Sequence, residues 1–532
     1  MSIDGGAPDE NSIARKRWEW PADEIRRVGY KVVDLIAEHL TRLPDSPVFT
    51  PFPADLASRY QGSSMPESGA TSDDILDRFS SEIEPYPFGN GHPAFYGWVN
   101  SPPTPIGIFA DALAAAMNPS CAGGNHAAIY VERAVLNWFR QIMRFPAGST
   151  GLLVSGGSAA ALTALTVARH TKCGFNVRTT GLKSARSQLI VYQSGEAHGC
   201  HQKAIELLGI GSESLRRIEH NDSLQMVPAA LDTRLRQDID RGDTPIAVIA
   251  NAGAVNTGAI DPLDEIADVC RDHNVWMHVD GAYGAPAILS SNYSSRLSGL
   301  SRADSLTVDP HKWFYVPVEA GLVLVRDAEA MRAAFSLVPP YLRTDGNAEG
   351  VGGPPWFSEY GFQQTRGFRA LKIWMSLMYH GLEGYRAAIE RDIYMAEMLA
   401  DQVRKSSDFQ LLDPQSLSIV CFRYHPRSLP GRQGEAETTA RVSAESLKVS
   451  PEAYTGGAEP ESKPNLEELN RINKAVVEKL QISGRAFLSL TTIGGIVWMR
   501  ACIVNPRARE TDILGLLDLL REIAMNVRGA TG

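Results

Sequence analysis

Cysteine is scarce and unpaired in this chain: six among 532 residues, at positions 121, 173, 200, 270, 421 and 502, none in C-x-x-C spacing. That argues against a disulfide framework or a cysteine-held zinc site, and makes buried thiols in a reducing cytoplasm the expected state. Long apolar runs are missing too. The longest, over 106–117, is interrupted by Asp111 and falls short of the ~20 residues that span a bilayer. Residues 1–21 are polar and charged, without the apolar stretch of a secretory signal. Positive charge is not in excess: 52 Lys and Arg face 61 Asp and Glu, for a net charge of −9. That balance leaves no electrostatic footprint for nucleic acid or an anionic membrane. No internal repeat is visible. A soluble, cytoplasmic protein without a metal site is expected.

What is present is ordinary for a globular protein, 44% hydrophobic and 21% charged residues. A chain of this length exceeds one core, so two or three domains are expected. Over 23–43, Ile25, Val28, Val32, Val33, Ile36 and Leu40 fall on one helical face. Residues 72–83 read as a second helix with Ser72 as its cap. This N-terminal arm, 1–104, has too little apolar content for its own core and is expected to pack on a partner subunit. From 105 to 378, apolar runs at 151–154, 188–192, 246–250, 275–279, 305–308 and 321–325 alternate with helical segments. Short strands without polar alternation, separated by helices, predict an α/β fold with a mostly parallel sheet covered on both faces. Ligands of such sheets sit at the carboxyl ends of the strands. A long helix is predicted from Phe368 through Trp374 and Met378. Residues 379–532 read as a smaller α/β domain, with a helix over 385–403 and a strand over 417–423. A Pro-, Gly-, Ser- and Glu-rich insertion at 426–464 is read as flexible. A helix over 466–480, strands near 486–490 and 496–503, and a last helix over 510–527 complete the chain.

The most informative stretch is Asp309-Pro310-His311-Lys312-Trp313, directly after the run 305–308. Upstream, His278-Val279-Asp280-Gly281-Ala282-Tyr283 closes another run. A lysine at one strand exit and an aspartate at an earlier one are what a pyridoxal phosphate enzyme requires. The amine holds the cofactor aldehyde, and the carboxylate keeps the pyridine nitrogen protonated. Taken singly, each reads more simply, as a solvent-exposed lysine and a helix-capping aspartate. Asp309, His311 and Trp313 around Lys312 point instead to an enclosed polar site. Gly281 and Ala282 are small enough for a ring to lie close. Ser155-Gly156-Gly157-Ser158 ends the run 151–154 and opens a small-residue helix. Its free N–H groups and the Ser158 hydroxyl would cradle a phosphate, although such turns also serve as plain connections. His311 could donate to the same phosphate. His198 follows the run 188–192, where an imidazole can stack on a pyridine ring and touch a substrate carboxylate; a surface loop histidine is the simpler reading. His201, one helical turn on, reads as a bystander.

Together these pieces resemble the group II pyridoxal phosphate-dependent amino-acid decarboxylases, the aromatic L-amino-acid decarboxylase family. The resemblance covers residues 23–527 outside the insertion. Its motifs are His92-Pro93-Ala94-Phe95-Tyr96-Gly97, Ser155-Gly156-Gly157-Ser158, Ala197-His198, His278-Val279-Asp280, Pro310-His311-Lys312-Trp313 and Arg366-Gly367-Phe368-Arg369-Ala370-Leu371-Lys372. It implies fold type I and a homodimer with sites at the interface. It further implies Lys312 as the lysine bonded to the cofactor, Asp280 as the pyridine partner and His198 as the stacking histidine. Gly157, Ser158 and His311 then face the phosphate, with Ala282 beside the ring. The substrate-side segment is Trp98-Val99-Asn100-Ser101; Trp98 could stack an aromatic substrate or simply fill core.

Three departures stand out. Gly253-Ala254-Val255 replaces a common Gly-Thr-Thr, losing a hydroxyl that Asn251 or Asn256 would have to replace. Cys200 sits where serine is common. In these decarboxylases a mobile loop before the Phe-Arg-x-Leu-Lys motif carries a tyrosine that protonates the carbanion. Counting back without gaps puts Phe357 at that position, with Tyr360 and Tyr341 as nearby alternatives. Relatives with phenylalanine there can release aldehyde, ammonia and peroxide, because phenylalanine has no proton to give.

The leading expectation is decarboxylation of an L-amino acid, an aromatic one among the options, to the amine and CO2. A second keeps the cofactor but ends in an aldehyde through Phe357. A third is a non-catalytic, cofactor-binding regulatory protein. A transaminase is possible on fold grounds, but the pairing of His198 with Pro310-His311-Lys312-Trp313 favours decarboxylation.

Overall fold

The computed structural model describes residues 18–89, 91–337, 352–426 and 466–529. At its centre is a seven-stranded sheet: β1 (Thr150–Val154), β2 (Leu189–Ser194), β3 (Leu215–Ile218), β4 (Thr244–Asn251), β5 (Trp276–Asp280), β6 (Ser305–Val308) and β7 (Gly321–Val325). Their spatial order is β1-β7-β6-β5-β4-β2-β3. Pairs β2–β3, β2–β4, β4–β5 and β5–β6 are parallel, while β7 runs antiparallel to both β1 and β6. Because β1 and β6 each oppose β7, they point the same way, and their carboxyl ends share the edge reached by β2, β4 and β5. The four turns that carry the predicted chemistry therefore open on one side.

Strand β2 is buried along its whole length and β4 through its last six residues, as expected when helices cover both faces. Strand β3 has no counterpart among the predicted runs. It is a four-residue edge strand, Leu-Arg-Arg-Ile, with only Ile218 buried, so it offers no apolar run to read. At the other end of the sheet, Gly321 of β7 lies so close to the turn after β1 that a Cβ there would stand 2.4 Å from the Gly156 Cα.

A second, antiparallel sheet joins β8 (Phe409–Leu411), β9 (Ile419–Tyr424), β10 (Ser489–Ile493) and β11 (Ile496–Cys502) in the order β10-β11-β9-β8. Helices Leu466–Ser483 and Glu510–Gly529 pack with it around a core of its own. The N-terminal segment is stitched to this core: Tyr96 N–H donates to the Phe487 carbonyl (2.8 Å) and Cys502 N–H to that of Tyr96 (2.9 Å). The helices predicted near 368–378 and over 385–403 follow one another within Ala370–Lys405, separated by a kink at Gly381, whose φ of 61° is left-handed and natural only to glycine. The insertion at 426–464 lies outside the described residues beyond Pro426.

The arm forms the helices Ala22–Arg42 and Ser72–Arg78. Thr71, not Ser72, caps the second. Its hydroxyl accepts the Asp74 N–H (3.1 Å) while Asp74 accepts the Thr71 N–H (3.3 Å). A reciprocal box of this kind needs an acid three residues on, which Thr71 has. The first helix buries none of its residues. No helix among the described residues is long and apolar enough to cross a membrane.

Candidate active site

The turns after β1, β5 and β6 meet. A Cβ on Gly157 would stand 3.0 Å from the Asp309 carboxylate and 3.5 Å from the Ala282 methyl, and one on Gly156 would lie 3.5 Å from the His311 ring. A side chain at Gly157 would crowd the Asp309 carboxylate, while one at Gly156 would be in ordinary contact with the ring. Helix Gly157–Lys172 begins here, and the N–H groups of its first turn have no partners within the helix. Ser158 is exposed on the same turn. The result is a cradle for an anion.

Lys312 follows β6. Its amine lies 3.0 Å from Asp309 Oδ2. Burial works against the ammonium, but the Asp309 and Asp280 carboxylates outweigh it and hold the amine above its ordinary value. Asp309 is almost fully buried, and its Oδ1 has no hydrogen-bond partner among the described residues. Asp280 ends β5. Its Oδ1 accepts the Ala282 N–H (3.1 Å), and its Oδ2 is 3.2 Å from His201 Nε2. Burial alone would raise this carboxyl; the contact with His201, aided by Lys312, instead holds it well below the usual carboxylate range.

His201 is therefore no bystander. It is fully buried and forms part of the charge pattern of the site. The sequence signal existed, a histidine three residues after His198, but the pairing crosses from a helix to a strand and no periodicity reveals it. His198 itself is exposed. Its Nδ1 accepts the Cys200 N–H (3.1 Å), which leaves the ring proton on Nε2. The Cys200 thiol, against the effect of burial, holds this imidazole above its ordinary value. Burial pushes the thiol up in turn, but His201 and His198 bring it below its usual range.

His311 departs from expectation in one respect. Its Nδ1 faces the Ala320 carbonyl at 2.6 Å, so the proton of a neutral ring sits there. Burial lowers its pKa. It can donate towards a phosphate only if the ring takes up a second proton, whereas the backbone of the Gly157 turn needs none. Of the asparagines that could replace the missing hydroxyl, Asn256 gives its amide to Glu196 (3.0 Å), leaving Asn251, buried at the end of β4.

Trp98 adopts a left-handed backbone with φ of 46°, stacks on Phe88 at 5.0 Å and packs near Phe487 at 5.3 Å. Nearly half of it is exposed. Val99 lies in the main core and offers little surface. The segment is tied to the lysine turn by Ser101, whose hydroxyl donates to the His311 carbonyl (3.0 Å). Arg500, unnoticed in the sequence, donates to the carbonyls of Trp98 (3.0 Å), Val255 (2.5 Å) and Asn256 (3.1 Å).

Phe357 is not brought to this cluster. It is 97% buried in the main core, with the guanidinium groups of Arg133 and Arg366 each 5.1 Å from its ring centre. Gap-free counting from Phe368 placed it in a substrate-covering loop; its apolar ring instead fills core. Tyr360 is partly buried beside it, and Tyr341 lies outside the described residues. A buried carboxylate oxygen left unpaired, an ionised Asp280, an amine between carboxylates and a glycine cradle together suit pyridoxal phosphate.

The model of the pyridoxal-dependent decarboxylase conserved domain matches residues 54–425. The chain belongs to the pyridoxal-dependent decarboxylase family. It is 34% identical to an aromatic-L-amino-acid decarboxylase of Bacillus atrophaeus over 509 residues, 95% of this chain and 96% of that one. It is 24% identical to a phenylacetaldehyde synthase of Arabidopsis thaliana, covering 97% and 99%. The crystal structure of Catharanthus roseus tryptophan decarboxylase in complex with L-tryptophan superposes with a TM-score of 0.78 at 23% identity, covering 95% of this chain and 99% of that one. This pyridoxal-dependent decarboxylase is an enzyme of fold type I, a pyridoxal phosphate-dependent amino-acid decarboxylase.

Proposed function

We propose that this decarboxylase converts an aromatic L-amino acid to its amine and CO2, as a cytoplasmic homodimer. Bound pyridoxal phosphate supplies the electron sink for the carbanion that loss of CO2 leaves. Lys312 would hold the cofactor covalently, Asp280 would keep its ring nitrogen protonated, and His198 would cover its face. The Gly157 turn, Ser158 and His311 would take the phosphate, with Ala282 against the ring. The observation that carries the assignment is the Lys312 amine, 3.0 Å from Asp309 and drawn on by Asp280, beside a glycine-lined helix start. The exposed Trp98 face and the aromatic substrates named for the relatives support an aromatic side chain.

With Phe357 in the core, Tyr360 and Tyr341 are left as the proton donors to test, and an amine rather than an aldehyde is the expected product. The dimer is supported by the arm. Its helices and Phe88 line an apolar cleft of about 650 Å³ that includes Val32, Ile36, Leu76 and Phe79, a surface suited to a second copy. The six cysteines are free and buried, which suits a reducing compartment. Borohydride reduction and digestion should place a pyridoxyl label on Lys312, absent in Lys312→Ala. Across a panel of amino acids, amine should form in step with CO2 and without oxygen uptake. A label elsewhere, or stoichiometric peroxide and ammonia, would overturn the reading.

A further inference from the structure

We propose that His201 is a positioning residue, braced against Asp280 so that the carboxylate is held in one orientation for the cofactor's ring nitrogen. The inference rests on the role assigned to Asp280 above. His201 opens the helix Cys200–Leu207, and its N–H faces the carbonyl of His198 (3.3 Å). The histidine that would cover the cofactor and the one that braces its aspartate are thus joined by one turn of backbone.

Each oxygen of Asp280 meets a different element: Oδ1 accepts the Ala282 N–H at 3.1 Å, and Oδ2 lies 3.2 Å from His201 Nε2, an ion-pair distance without hydrogen-bond alignment. Rotating the carboxylate would break both contacts. The remaining groups facing His201 cannot substitute for it. His278, on β5, meets its ring edge to face at 6.1 Å. Both nitrogens of His278 are directed at hydroxyls, Ser305 Oγ at 2.9 Å and Thr307 Oγ1 at 3.4 Å, and burial holds it neutral, down to about 3. Lys312 is 3.0 Å from the other carboxylate, Asp309. Cys200 precedes His201 on the same helix. An apolar residue at 201 would leave Asp280 Oδ2 buried without its partner, which is costly for an ionised group. In support, Cys200 and Asp280 act against complete burial to raise the pKa of His201.

The test compares His201→Leu, which removes the contact, with His201→Gln, which retains an N–H for Oδ2, and with Asp280→Asn. The readouts are kcat and KM per bound cofactor, the dissociation constant of pyridoxal phosphate from the apoenzyme, and the pH titration of the bound cofactor's absorbance. His201→Leu should lower kcat and weaken cofactor binding by about ten- to a hundredfold, the cost of removing the partner of a charged group. KM should change little and the absorbance titration should shift, with His201→Gln recovering part of each. Unchanged kcat, affinity and titration in His201→Leu would overturn the inference. Should that variant not fold, nitrogen-15 histidine spectra of the apoenzyme decide. The His201 ring signals must shift in Asp280→Asn, and an unchanged spectrum would equally sink the idea. Pyridoxyl labelling of Lys312 in every variant separates the two levels. No label, or a silent Asp280→Asn, refutes the site assignment itself; intact labelling with a silent His201→Leu refutes only the brace.

Discussion

Asp309 touches the Lys312 amine with one oxygen and has the other buried without a partner among the described residues. Such an atom is costly unless a ligand or a proton meets it. Asp309→Asn should therefore leave the fold intact but weaken the charge partnership of Lys312, seen as slower incorporation of pyridoxal phosphate into apoenzyme. A second prediction concerns the product. Replacing the proton donor, by Tyr341→Phe or by Tyr360→Phe, should cut amine formation and raise aldehyde and peroxide, whereas Phe357→Tyr should lower the melting temperature and leave the product unchanged, since its ring is core. Gas chromatography with an oxygen electrode decides between them. At this scale the sequence made legible where the strand exits fall, and the structure brings the turns of Gly157, Asp280 and Lys312 together. It was illegible at His201 and Arg500, whose partners lie on distant elements, and at Phe357, whose burial in the core no residue count reveals.

Among elements, the helix Ala127–Ile142 and the segment before the long helix are locked by a buried pair. Arg366 donates to both oxygens of Glu132 (2.5 and 3.2 Å) and to the carbonyls of Cys121 and Leu153, and both side chains are essentially without solvent. Glu132→Gln leaves a guanidinium without its counter-charge and should cost about 3–5 kcal/mol of stability, read from urea unfolding. The long helix contributes Asp392, whose Oδ2 accepts from Trp313 Nε1 (2.9 Å) and the Tyr315 hydroxyl (2.7 Å). Burial pushes its carboxyl up to about 7, against about 3.9 unfolded. The folded chain thus binds this proton more tightly, so the stabilisation is complete below about pH 4 and is lost as pH rises through about 7. Buried Asp261, raised to about 6, acts with the same sign. Asp392→Asn should flatten, without abolishing, the fall in unfolding midpoint between pH 5 and 8. Strands announced themselves as apolar runs where both faces are buried; the edge strand β3 could not, because Arg217 faces water and Arg216 turns to Asp238.

For the molecule as a whole, the arm is the exposed liability. Its first helix buries nothing, while Trp18, Ile25, Tyr30 and Val33 stand open, an apolar patch of the kind that marks an interface. Deleting residues 1–53 should shift the protein to monomer or aggregate in sedimentation and abolish turnover. The mostly parallel architecture was readable from alternating runs and helices. The reach of the N-terminal segment into the second sheet was not, since it rests on backbone bonds from Tyr96 to Phe487 and Cys502.

The bent helix Ala370–Lys405 has one half in each core: Ile373, Leu377, Tyr385 and Ile389 in the larger, Met395, Leu399 and Val403 in the smaller. It works as a shared keel. Neither body can be excised with its interior whole, and a protease nick near Gly381 would loosen the lysine turn and the far sheet together.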